Sequence, residues 1–443
     1  MNAEIHPIKS AAETALATSF AGAKGNLPGT GAVAALREQA FRQFETQGLP
    51  HRRVEEWKYT DLRALMREAH PLAPPPDAAA MARAKNAGAV LASIEARRIV
   101  FVDGMLAAEL SDLAGLEPGL RIGSLAQALG RGDGELAGHL GQTVPTNDVA
   151  VALNTALMGD GAVIRVAAGA ALARPLHLVF FNSGAQPASV FTRSHVVIEA
   201  GARAMLVESH EGVAGNAYQV NTALELVVGD DAHVDHIKIT GAGSGALHVA
   251  SLMASVGARA RFNEFLFTAA GGVVRNQLFV QFAGEDTVAG IRGANLLRGR
   301  EHEDLTLVAE HVVPGCTSRQ VFKSVLDDEA RAVFQGKIVV RPEAQRTDAR
   351  MATHALLLSD TAEADNTPEL EIFADDVQCG HGATSGALDE DLLFYLNARG
   401  IPAKEAEALL IQAFVGEAVD GIEHAGLRDA LMEQVIGWLK ARG

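Results

Sequence analysis

The pattern of apolar and polar positions changes period twice along the chain. In GAVAALREQAFRQFETQG, Val33, Leu36, Ala40 and Phe44 recur at roughly helical spacing, which predicts a helix capped by Thr30 and stopped by Gly48 and Pro50. The segment LAPPPDAAAM, residues 72–81, holds three consecutive prolines and reads as a linker or exposed loop before another Ala-rich helical stretch. From about residue 91 the texture changes to short β-like runs: RRIVFVDG at 97–104, HLVFF at 177–181 and SHVVIEA at 194–200. Their length favours strands over helices.

These runs repeat. A strand, a short Gly-Ala or Gly-Asp turn and a second strand appear in VIRVAAGAALARPLHLVF, VVIEAGARAMLVES, LELVVGDDAHVDHIKI, SLMASVGARARFNEFLF and LFVQFAGEDTVAGIRGANL. The pivotal glycines Gly169, Gly201, Gly229, Gly257 and Gly284 are 32, 28, 28 and 27 residues apart. A near-constant period marks stacked units, none of which can bury its apolar face alone, so the expected fold is mainly β, a parallel β-helix or solenoid. Glycine suits each corner because a tight turn with positive φ disfavours a Cβ. An antiparallel sandwich also alternates strands and glycine turns, but at shorter and less regular spacing. The turn in LDDEARAVFQG, residues 326–336, resembles the same unit with Glu329 in the glycine's place, which carries the stack to about residue 375.

Beyond it, GIPAKEAEALLIQAFVGEAVDGI and HAGLRDALMEQVIGWLKARG read as two amphipathic helices. Pro402 sits at a tolerated first-turn position, and Leu409, Leu410, Ala413 and Phe414 form an apolar stripe. Such helices pack on their own domain or dock another subunit. The expected division is therefore an N-terminal helical region with a Pro-rich linker at 1–90, a β-helix core at 91–375 and a C-terminal helical region at 376–443.

Charge and composition narrow the function. Lys and Arg number 38 against 54 Asp and Glu, a formal charge of −16, which opposes sequence-independent nucleic-acid binding. The sequence has no apolar run long enough to cross a membrane and no hydrophobic block behind a basic leader, so a cytoplasmic location is expected. Its only cysteines are Cys316 and Cys379, too few for a disulfide framework or a closed four-thiolate metal site. Any metal bound here needs His, carboxylate or a second chain.

ELEIFADDVQCGHGATSG, residues 369–386, is the densest run of chemically able side chains: Glu369, Glu371, Asp375, Asp376, Cys379 and His381. A cysteine and a histidine two apart on a strand share a face, a donor pair suited to Fe or Zn. A bare Cys-x-His pattern is also what an inert buried cysteine beside a hydrogen-bonded histidine leaves. Two ligands leave a metal unsaturated, which fits transient cargo better than a structural ion. Cys316 falls in a turn, where a structural or exposed thiol is the default, and His302, Glu303, Glu310 and His311 are either ligands or the solvated face of a strand. His233 and His236 fall on opposite strand faces, against a joint role. The sequence carries no P-loop, GxSxG elbow or dinucleotide fingerprint, so ATP hydrolysis by this chain is not expected.

From Val321 to Phe414 the residues resemble the SufB/SufD family of the SUF iron–sulfur assembly system, through VFKSVLDDEARAVFQGKIVVRPEAQRTDA, THALLLSDTAEADNTPELEIFADDVQCGHGATSG and LFYLNARGIPAKEAEALLIQAF. RRVEEWKYTDLR at 52–63 is similar to the family's Trp-Lys-Tyr-Thr segment. The resemblance implies a central right-handed parallel β-helix between helical ends. The chain looks SufD-like: its first 315 residues lack cysteine, Thr353 and His354 occupy the region of a SufB-type functional cysteine, and Gly382 stands where SufB-like chains have glutamate. Such a resemblance implies a non-catalytic scaffold that pairs with a SufB-like paralogue through the β-helices, with a homodimer as a further family form. Its C-terminal helices would dock a SufC-like ATPase, and ATP would be bound by that partner. Cys379 and His381 carry over as candidate ligands for transient iron or a nascent cluster at the SufB–SufD interface, with no cofactor held tightly by this chain alone. The alternatives are a SufB-type cluster-bearing scaffold, which the missing cysteines oppose, and a carbohydrate-active β-helix enzyme, which two Trp and three Tyr support poorly.

Overall fold

A computed structural model describes residues 9–442 apart from 185, 214, 242 and 244; the first eight residues of the stretch searched for a leader lie outside it. Three strands precede the regular coils: β1 (Arg97–Val102), β2 (Met105–Leu106) and β3 (Leu120–Ser124). The coils open with β4 (Ala162–Val166), β5 (Leu176–Asn182), β6 (Ala188–Ile198) and β7 (Arg203–Gly212). Next come β8 (Tyr218–Val228), β9 (His233–Gly241), β10 (Leu247–Val256) and β11 (Arg261–Ala270). They continue through β12 (Val273–Phe282), β13 (Val288–Leu297), β14 (His302–His311) and β15 (Thr317–Leu326). β16 (Arg331–Val340), β17 (Asp348–Leu357), β18 (Glu363–Ile372) and β19 (Gln378–Gly386) complete the stack.

Even-numbered strands build one sheet, ordered β18 to β4, and odd-numbered strands the other, ordered β19 to β5, so each strand lies beside the one two elements away. The pairing is parallel from coil to coil, often in unbroken ten-residue register such as β10 on β12. That is the expected solenoid, flattened into two sheets around one core. Alternate side chains point inward and stack on their equivalents: Ile198, Val228, Val256, Phe282, His311 and Val340 form one continuous ladder. Each coil thus covers the apolar face its neighbour exposes.

The corners follow two rules rather than one. Gly169 and Gly201 have φ of 69° and 67°, the left-handed conformation expected of them. At Gly229, Gly257 and Gly284 the positive φ moves two residues on, to Asp231, Arg259 and Asp286. Those three glycines are small for another reason: a Cβ would lie 2.6 Å, 2.8 Å and 1.8 Å from a backbone nitrogen of the preceding coil. Glu329 is not a successor to them. Its turn joins β15 to β16 at the opposite corner, with Asp328 at φ 56°, while Gly315 and Arg346 continue the glycine corner.

Helices cover both sheets. α1 (Ala11–Ala23) and α2 (Ala32–Gln47) lead, followed by the short α3 (Leu62–Leu65) and α4 (Ala78–Arg83). α5 (Leu125–Gly130), α6 (Gly134–His139) and α7 (Val149–Leu157) lie between β3 and β4, inside the stretch assigned above to the β-helix core. Phe20, Phe41, Phe44 and Leu153 of the helices join Phe191, Leu247 and Val249 on the outside of the even sheet. After the solenoid come α8 (Glu390–Asn397), α9 (Ala403–Val419) and α10 (Ala425–Arg442). α9 and α10 lay Ile411, Val415, Leu431 and Val435 on Ile237, Phe265, Phe267 and Leu296 of the odd sheet. The buried face of α9 overlaps the stripe read from the sequence only in part: half-buried Phe414 packs against the same cluster, whereas Leu409 and Ala413 are exposed. The solenoid also runs to Gly386, past the boundary placed at 375, because the extended segment after Asp376 pairs with β17.

The two ends of the stack differ. At the start, β3 pairs antiparallel with β4 and β1 flanks β5, which covers the first coil. At the finish, β18 and β19 are the last strands of their sheets. A last strand presents unpaired backbone N–H and C=O groups.

Candidate functional site

Cys379 and His381 lie on β19, opposite Ala349 and Met351 of β17. Their parity places them on the inward face, in line with the core residues of earlier coils. Cys379 is half-buried and packs against the solenoid core, and His381, one step outward, is exposed. Both belong to the final coil, so the site opens where the stack stops.

Burial pushes the Cys379 thiol above its ordinary range; Asp348 adds to this, and a hydrogen bond with the Ala349 backbone opposes it. The thiol is protonated at neutral pH and must lose its proton to ligate a metal. The acidic residues of the same run do not converge on it. Glu369 and Glu371 point outward from β18 and hold Lys337 Nζ at 3.2 Å and 3.0 Å. Asp375 and Asp376 are exposed in the corner. Among the described residues, no third His, Cys, Asp or Glu forms a ligand cluster with Cys379 and His381. The pair is thus an incomplete donor set with room for outside ligands.

The other candidates separate. Cys316 is fully buried at a corner rather than exposed, its thiol 3.3 Å from the Gly284 carbonyl oxygen and pushed up by burial. The four residues of β14 alternate, with Glu303 and His311 inside the solenoid and His302 and Glu310 outside, so they form neither one site nor one solvated face. His302 Nε2 meets Thr60 Oγ1 at 2.9 Å, and Glu310 pairs with Arg341. His233 and His236 do fall on opposite faces: His236 is fully buried, His233 half-buried outside.

Two constellations escaped the sequence reading. Inside the coils, Glu208, His236, Lys238 and Glu264 line a cavity of about 20 Å³, with His236 Nδ1 2.6 Å from Glu264 Oε2. Burial lowers the His236 pKa, but Glu264 and Glu208 outweigh it and push it up to about 10. The signal was present in LVESHEG and HVDHIKI, where charged residues occupy the inward phase of the alternation. Outside, the Trp-Lys-Tyr-Thr segment clamps the even sheet. The Arg275 guanidinium lies 3.8 Å from the Trp57 ring centre and pairs with the buried Asp304, which also accepts from Thr60. These partners are more than 200 residues apart in the chain.

Comparison with known proteins gives this geometry its context. Residues 180–414 match the family described as SUF system FeS cluster assembly, SufBD core domain, and residues 28–178 match the SufBD protein N-terminal region. An iron–sulfur cluster assembly SufBD family protein of Synechocystis is 33% identical over 398 residues, which cover 87% of each chain. The iron–sulfur cluster assembly protein SufD of Escherichia coli is 30% identical over 403 residues, covering 90% of this chain and 91% of the relative. SufD of Bacillus subtilis is 26% identical over 286 residues, covering 64% and 65% respectively. With a two-sheet solenoid, helical ends and both family regions in their order, the chain belongs to the SufBD family of SUF-system iron–sulfur cluster assembly proteins.

Proposed function

We propose that the chain is the SufD-type subunit of a SUF complex, a non-enzymatic scaffold that supplies Cys379 and His381 as half of a ligand set for iron or a nascent cluster. A SufB-type partner, seated against the last coil, supplies the other half. The observation that carries this reading is the position of a half-buried thiol and an exposed imidazole on one face of an edge strand whose outer side has no partner strand. Two ligands hold an ion too weakly for a resident cofactor and well enough for transfer.

Edge strands β18 and β19 favour a partner that continues the stack by backbone pairing. Ile372 and Phe373, 40% and 57% exposed at the final corner, give that partner apolar anchors. A second copy of this chain is the alternative occupant of the same end. At the other helical surface, Leu392, Phe394 and Tyr395 of α8 and Leu409 of α9 are exposed and suit the docking of a SufC-type ATPase, which would bind the ATP. The sugar-cleaving reading needs an open groove along a sheet face, whereas α2 and α7 cover part of the even sheet and α9 and α10 part of the odd one. No helix among the described residues is long and apolar enough to cross a membrane, in keeping with work in the cytoplasm.

Phe373→Glu tests the interface. The isolated variant should melt as the parent does, because Phe373 is largely in solvent, but should no longer retain a SufB-type partner on co-purification. Equal recovery of the partner with Phe373→Glu would remove the last coil from the interface.

A further inference from the structure

We infer a second metal site, on the outer face of the odd sheet, in which His233, Asp235 and Glu423 bind one divalent ion of the Fe2+, Co2+ or Zn2+ class and fasten the α9–α10 connection to β9. His233 and Asp235, two apart on β9, project from the same face, and Glu423 reaches them from the segment between α9 and α10. His233 Nε2 lies 3.8 Å from Asp235 Oδ1 and 3.9 Å from Glu423 Oε2, and one donor atom from each residue falls within 4.8 Å of the others. Neither contact is a hydrogen bond. His233 Nε2 is shielded from solvent and has no hydrogen-bond partner, an unpaired buried group that a metal bond would satisfy.

The surroundings are built to hold these donors. Asn263 Nδ2 donates to Asp235 Oδ1 at 2.7 Å and orients the carboxylate. Arg428 Nη1 donates to the Ile422 and Glu423 carbonyls at 2.6 Å and 3.1 Å, fixing the backbone from which Glu423 projects. The neighbouring His424 is not free to join, since its Nδ1 accepts from the Leu427 N–H at 3.1 Å. Arg261 from β11 and Arg203 from β7 flank His233 in register, so two guanidinium groups border the two carboxylates.

An ion with bonds of about 2.0–2.2 Å in tetrahedral geometry wants its donors ~3.4 Å apart. The two His233 contacts need close by only about half an ångström and the Asp235–Glu423 pair by at most about 1.4 Å; Glu423, exposed on a connecting segment, can supply the movement of its own two contacts. One imidazole with two carboxylates selects a borderline ion over Mg2+ or Ca2+, which prefer all-oxygen sets. Water would complete the shell. The site is five strands from β19 in the odd sheet, ~24 Å at ordinary strand spacing, and is independent of Cys379 and His381.

The test is anaerobic Co2+ titration of the chelator-stripped full chain carrying Cys379→Ser and His381→Ala. The expected result is one equivalent bound with visible bands of nitrogen and oxygen ligation, no thiolate charge-transfer band, and a raised melting midpoint. His233→Ala should abolish both signals, and Asn263→Ala should weaken binding by about 10- to 100-fold as an orienting partner. Glu423→Gln, a substitution on the exposed connection, should weaken binding while the metal-free melting midpoint stays put. Absence of saturable binding in the doubly substituted chain, or binding that His233→Ala and Glu423→Gln leave unchanged, overturns the site.

Discussion

His177 and His311 are buried and neutral, driven by loss of solvent to about 3 and about 4. His311 occupies an otherwise apolar ladder, stacked on Phe282 with ring centres 4.1 Å apart and bonded to Ser318. The unfolded chain protonates such groups near pH 6.5 and the folded chain does not, so stability is full above that pH and falls below it. Each contributes a slope of about 1.4 kcal/mol per pH unit until its folded value is reached. His236 works in the other direction. Its pKa is raised to about 10, so its contribution is present below about 6.5 and lost as pH rises through 10. The melting midpoint should therefore peak near neutrality, with His311→Gln flattening the acid limb and His236→Gln the alkaline one. Limbs of unchanged steepness in those variants would assign the pH dependence to other groups.

At the scale of elements, the corners discriminate between two uses of glycine. A Cβ on Gly284 would sit 1.8 Å from the Ala258 nitrogen of the coil beneath, whereas one on Gly380 would meet nothing within 4 Å. Gly284→Ala should cost at least ~1–3 kcal/mol in denaturant unfolding and Gly380→Ala close to nothing. Equal losses would contradict the coil spacing. The period of those corners was legible in the sequence because every coil obeys the same packing constraint. The cause at each corner was not, since Asp231, Arg259 and Asp286 carry the positive φ that glycine was expected to carry. The end of the solenoid was hidden as well: β19 is rich in glycine and small polar residues, and an edge strand with one partner needs no apolar alternation. α9 misled for a related reason, since Leu409 and Ile411 are equally apolar and only the sheet beneath decides which is buried.

For the molecule as a whole, the proposed function rests on the difference between its two ends. The first coil is covered by β1 and β3, while the last coil stops at two edge strands with Cys379 and His381 between core and solvent. The chemistry of that pair was readable as two donors on one face. Its incompleteness became physical only when Glu369 and Glu371 turned outward to Lys337. Because neither side chain has a full set of core contacts, Cys379→Ala and His381→Ala should leave the unfolding free energy within about 0.5 kcal/mol of the parent. The most direct measurement is anaerobic iron and sulfide reconstitution of the complex co-purified with SufB-type and SufC-type partners, with cluster absorbance read per complex. Normal subunit stoichiometry and a clear loss of cluster are expected for Cys379→Ala and for His381→Ala. Cluster yields equal to the parent from intact variant complexes would contradict their role as ligands.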